Sequence, residues 1–147
     1  MVQKQQNRDL NNFKFFIENS AISSVPLYSL GWNTYKTQVE NSTEVKIIDY
    51  NDLLNKYNIN FDTLVIDNEG NFVDMLKDFP NILDNIRLLI IEHDFNTDDD
   101  LHYFNEIMTN KGFRVNDAFL KEEKYGPGIN WSDGLVTDPI FVSVWKR

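Results

Sequence analysis

The sequence predicts an α/β fold on a mixed sheet, with parallel central strands and an antiparallel hairpin at the C-terminal end. Three observations lead there. Leu64, Val65 and Ile66 form an apolar run that stops at Asp67, and Leu88 to Ile91 form a second that stops at Glu92 and His93. Runs that are apolar at every position suit strands buried on both faces, as in a parallel sheet covered by helices. Between them Phe72, Met75, Leu76 and Phe79 recur at i, i+3, i+4 and i+7, the stripe of a helix packed on a core. Strand, helix and strand in about thirty residues make a βαβ unit with a right-handed crossover. The last two apolar stretches, 113–119 and 140–145, have only a turn-rich segment between them. They are expected to pair antiparallel, because a parallel return needs a crossover.

In chain order, Met1 to Asn12 is a polar lead-in. Phe13 to Ile22 alternates at Phe13, Phe15 and Ile17, as a strand does. Ser23 to Val39 carries Pro26, Gly31, Trp32 and Tyr35 without a clear period and reads as a long loop whose aromatics line a pocket or, the plainer role, plug a hydrophobic gap. Val45 to Ile48 is a short strand. Asp49 then caps a helix to about Tyr57, with Leu53, Leu54 and Tyr57 facing inward. After the central unit, Thr97 caps another helix, and the aspartates at 98, 99 and 100 favour its positive end. Leu101, Phe104, Ile107 and Met108 form its buried stripe, and Gly112 is the residue that ends it. Residues 121–139 are a loop rich in turn residues, including Gly126-Pro127-Gly128 and Ser132-Asp133-Gly134.

Composition bounds the function. A chain of 147 residues is one domain's worth, and a domain this size buries roughly 68–70% of its unfolded surface. The net charge of −9 works against a nonspecific grip on nucleic acid or on an anionic membrane, since both need a basic surface. Without cysteine there is neither a disulfide framework nor a thiol nucleophile. No apolar run approaches the ~20 residues of a membrane span, and the first residues lack the apolar core of a signal peptide. The expectation is a soluble, cytoplasmic protein.

Ligands of such sheets sit beyond the carboxyl ends of the strands. Asp67, Glu69, Glu92 and His93 lie there. Neighbouring strands run about 4.8 Å apart, so Asp67 and Glu92 are placed to converge on one substrate or one metal. The plainer role for Asp67 is to cap the helix that follows. Glu69 suits the helix N-terminus, and Gly70 suits a positive φ or a close approach. His93 is the side chain fitted to take a proton near neutral pH. Asp67, Glu92, His93 and Asp94 would suit Mg²⁺ or Mn²⁺ if they converged, but nothing in their spacing requires a metal. His102 reads as helix surface.

Ile66-Asp67-Asn68-Glu69-Gly70, followed by a helix, a strand ending in Glu92, a second helix and a terminal hairpin, resembles the FkbM family of S-adenosylmethionine-dependent methyltransferases. Asn19 to Ser23 and Ile48 to Leu54 resemble the segments that precede the family signature, so the likeness runs from Asn19 to Arg147. It implies a partial Rossmann-like methyltransferase sheet and O-methylation of a hydroxyl on a sugar or small metabolite. It also implies roles for Asp67, Glu92 and His93 at the methyl-transfer zone, and for Glu69 and Gly70 on the cofactor side. Two departures bear on this. The second signature Glu falls on Phe72, and Gly31 is the only glycine before Gly70, so the family's glycine-rich cofactor turn is absent.

The chain therefore resembles the C-terminal portion of such an enzyme, a single truncated domain over 1–147. It is expected to bind S-adenosylmethionine weakly or not at all by itself. The alternative is a non-catalytic α/β module derived from that fold. In the complete fold the strand 61–66 has a neighbour that this sequence lacks. That open edge is expected to be closed by a second copy or by a partner carrying the missing half, unless 13–22 folds back into the vacancy.

Overall fold

The computed structural model describes residues 6, 9–12, 14–31, 33–115 and 142–147. It is a mixed α/β structure that divides into two compact units, Met1–Ile59 and Asn60–Arg147.

In the first unit β1 (Ala21–Ile22) pairs parallel with β5 (Ile47–Ile48). β2 (Leu27–Leu30) lies between β3 (Asn33–Tyr35) and β4 (Thr43–Val45), antiparallel to both. The region read as a loop, Ser23 to Val39, thus holds a hairpin. Gly31, at φ +63, makes its turn possible where a side chain would be strained. Of its aromatics, Tyr35 is 36% exposed, and Trp32 lies outside the described residues. The stretch expected as one strand, Val45 to Ile48, is split at Lys46, where the chain leaves the three-stranded sheet for the two-stranded one.

The strand expected over Phe13 to Ile22 shrinks to β1, and among the described residues its ladder is with β5. Side chains rather than a ladder hold the residues before it. Glu18 accepts hydrogen bonds from Lys56 Nζ at 2.5 Å, Tyr57 Oη at 2.9 Å and Ser20 Oγ at 2.8 Å. These donors favour the charged carboxylate, Lys56 above all, and lower its pKa to about 2. Helix α1 (Tyr50–Tyr57) is capped by Asp49, whose side chain accepts from the amides of Asn51 and Asp52. Tyr50 and Leu53 are its buried residues, with Leu54 and Tyr57 partly covered.

The second unit contains the βαβ element. β6 (Thr63–Ile66) pairs parallel with β7 (Leu88–Glu92), and α2 (Phe72–Asp78) links them. Helix α3 (Asp98–Asn110) follows, capped by Thr97 and ended by Gly112 at φ +80. β8 (Arg114–Val115) and β9 (Val142–Lys146) form the expected antiparallel pair, and β9 also pairs antiparallel with β7, giving the order β6-β7-β9-β8. The rest of 113–119 and of the turn-rich segment lies outside the described residues.

One face of this sheet carries Leu89, Ile91, Ser143 and Trp145. Phe104 of α3 is fully buried and meets Trp145 and Phe72 edge-on at 5.4 and 6.2 Å. Ile82, Leu83 and Ile86, in the turns after α2, complete the core. Each such side chain contributes roughly 1.5–3 kcal/mol by leaving water. β6 departs from the expectation of burial on both faces: Val65 is 69% exposed, and β6 pairs with β7 alone among the described residues. An uninterrupted apolar run does not say whether both faces are covered; among the described residues this strand is an edge.

Candidate functional site at the carboxyl ends of β6 and β7

Register brings Asp67 and Glu92 together. Ile66 stands opposite Ile91 in the parallel ladder, so the next residue on each strand is the next pair. Glu92 is held above the ordinary carboxylate range, where a proton on it can bond to Asp67. Burial is the first cause, followed by the bond to Asp67 and then the negative charges of Asp67, Asp94 and Glu69.

The turn that presents Asp67 is unusual. Glu69 at φ +53 and Gly70 at φ +79 are successive left-handed residues. Asparagine amides hold it: Asn71 Nδ2 donates to the carbonyls of Asn68 at 2.8 Å and Glu69 at 3.2 Å, and Asn96 Nδ2 donates to that of Gly70 at 3.2 Å. Gly70 is buried against the segment after β7, and a Cβ there would lie 2.5 Å from the Asp94 carbonyl oxygen. The glycine therefore serves close packing, and the Glu69 side chain stays exposed.

His93 goes elsewhere. Its Nε2 lies 2.6 Å from Ser143 Oγ, and Ser143 pairs with Ile91 on the covered face. Trp145 Nε1 donates to the same hydroxyl at 2.8 Å. With one lone pair of Oγ taken by the indole, the arrangement that satisfies every atom has the Ser143 hydroxyl donating to Nε2 of a neutral imidazole. Burial lowers the His93 pKa, opposed by the charge of Asp94. A proton-accepting role therefore falls to Glu92 more naturally than to His93, whose Nε2 is occupied. Ser143 and Trp145 were not marked by the sequence; the only signal was a lone serine inside the apolar run Ile140 to Trp145.

The cluster is rich in acceptors and poor in donors. Asn68 Oδ1 and Asp94 Oδ2 are buried without a hydrogen-bond partner. Among the described residues, no group of three or more His, Asp or Glu side chains is placed to hold a metal ion, and no helix is long and apolar enough to cross a membrane.

Because its pKa is raised, Glu92 contributes stability that is fully present below the ordinary value of 4.5 and lost as pH rises through its folded value. Glu92→Gln removes that penalty. Its melting temperature at pH 7 is expected to equal or exceed the parent's, with the gap closing near pH 4. Thermal scans at both pH values check this, and a fall of several degrees at pH 7 would make Glu92 a structural carboxylate.

No family model, no curated protein and no solved structure matches this chain.

Proposed function

We infer that this chain is the acceptor-binding portion of an FkbM-type methyltransferase, whose share of the reaction is to hold a hydroxyl of a sugar or small metabolite and take its proton. The observation that carries the reading is the Asp67–Glu92 carboxyl pair at the ends of two parallel strands. A carboxylate with a raised pKa is a better base than an ordinary one, and it lies where ligands of parallel sheets bind. The parallel pair and the closing hairpin fit the partial Rossmann-like sheet that the resemblance implies.

The described residues do not fit the cofactor. Gly70 is filled by the Asp94 and Asn96 contacts rather than open to a ligand, and no glycine-rich turn precedes it. S-adenosylmethionine titrated calorimetrically into the chain is expected to give no micromolar binding; such binding would overturn this half of the reading. The site itself is tested by amide NMR with a panel of monosaccharides. Shifts confined to 67–70 and 92–96 support it, and shifts elsewhere, or none at tens of millimolar, count against it. The second reading, a non-catalytic module, draws on Phe72, which is 1% exposed in the core where the family signature has a Glu.

The open edge of β6 supports association with a second copy or with a partner carrying the missing half. Light scattering over a hundredfold dilution is expected to show a dimer dissociating. A monomer throughout would rule out self-association and leave a heterologous partner or a segment of the chain itself to close the edge.

A further inference from the structure

We propose that two copies of this chain join edge to edge through β6, antiparallel and centred on Val65, so that Thr63 of each copy stands beside Asp67 of the other. This rests on the self-association inferred above and gives it a register. β6 pairs with β7 alone among the described residues, and Val65 is 69% exposed. Such an edge offers amides and carbonyls to another strand.

The ladder already in place decides which groups are on offer. The Asp62 carbonyl accepts from the Leu88 amide at 3.2 Å, and Thr63 stands opposite Leu88. Along a strand the backbone groups of alternate residues point to the same side. Those of Asp62, Leu64 and Ile66 therefore face β7, and those of Thr63, Val65 and Asp67 face outward. An antiparallel pair exchanges both its bonds only between residues that face each other. The two-fold axis can then fall on Leu64, Val65 or Ile66, and not between residues.

Side chains choose among the three. An axis at Val65 sets Val65 against Val65, Leu64 against Ile66, Thr63 against Asp67 and Asp62 against Asn68. Apolar meets apolar, each carboxylate meets a neutral polar group, and the half-buried Leu64 and Ile66 gain cover. An axis at Leu64 would face Asp62 with Ile66. One at Ile66 would face Val65 with Asp67 and Leu64 with Asn68. At Val65 the two Asp67 residues stay four positions apart along the strand, about 13 Å, where salt screens most of their repulsion. The axis uses each edge once and closes the assembly at two. It also brings the Thr63 hydroxyl, which now donates to Asp62 at 2.9 Å, to the border of the other copy's carboxyl pair.

The chain has no cysteine, so introduced cysteines report the register. A hydrogen-bonded antiparallel pair holds its Cα atoms about 5.5 Å apart, within the span of a disulfide, whereas four residues of strand exceed that span. In oxidised glutathione Val65→Cys is expected to cross-link to itself. Thr63→Cys and Asp67→Cys are each expected to stay uncrosslinked alone and to cross-link when mixed. Light scattering tests the association separately: Val65→Lys is expected to keep the parent's circular dichroism and to weaken the dimer at least tenfold. A parent dimer without the Val65→Cys cross-link overturns the register. A monomeric parent, or a Val65→Lys dimer as tight as the parent's, overturns self-pairing through β6.

Discussion

Gly70→Ala is expected to lower stability by about 2–4 kcal/mol, or roughly 5–15 °C in melting temperature. Part of the loss is backbone strain: at φ +79 an alanine pays the left-handed penalty of about 1–2 kcal/mol. The rest is contact. The new Cβ would lie 2.5 Å from the Asp94 carbonyl oxygen and 2.8 Å from Asn96 Nδ2. Asn96 can swing aside, losing its bond to the Gly70 carbonyl, but the Asp94 backbone follows directly on β7 and cannot. The turn must move away from β7 and carry Asp67 away from Glu92. The Glu92 pKa should then fall back toward its ordinary value, which a carboxyl-detected NMR titration would follow. Gly112→Ala is the control, with a similar φ of +80 but open space around the added atom. Equal losses for the two variants would reduce Gly70 to strain alone.

Ser143→Ala is expected to cost about 1–3 kcal/mol, because it strands two buried polar atoms at once. Ser143 is 2% exposed, and its hydroxyl serves both Trp145 Nε1 and His93 Nε2. The same contact governs acid stability. The folded pKa of His93 lies below the ordinary 6.5, so its contribution is present above 6.5 and is lost as pH falls through that value toward the folded one. Glu92 acts in the opposite direction on acidification, so the His93 part is isolated by comparison with His93→Gln. Denaturant titrations at pH 7.5 and 5.5 should show the parent losing more stability than His93→Gln between them. Identical losses, or a Ser143→Ala variant as stable as the parent, would remove the hydroxyl from its place at the centre of this contact.

Local signals carried much of the architecture. Asp49, Thr97 and Gly112 bound the helices as expected, because a cap involves a side chain and amides two or three residues away. The stripe of α2 and the parallel pairing of β6 with β7 were likewise legible, as was the closing hairpin. The carboxylates at the strand ends could be named for the same reason: a run that stops at a charged residue marks its own end.

What faces what was not legible. Whether Val65 is covered depends on which element lies over β6, and its apolar neighbours in sequence carry no trace of that. The hairpin at Gly31 was missed because β2 is held by β4, a partner more than ten residues further on. The order of elements, their caps and the acidic ends of the central strands could all be read from the residues in order. It took the packing to show that Glu92 is held above its ordinary range by burial and by Asp67 on the neighbouring strand, and that His93 is engaged by a serine 50 residues away. Caps and periodicities are interactions within a few residues, whereas the ionisation of a carboxyl and the tautomer of an imidazole answer to whatever distant side chain the packing brings within 3 Å.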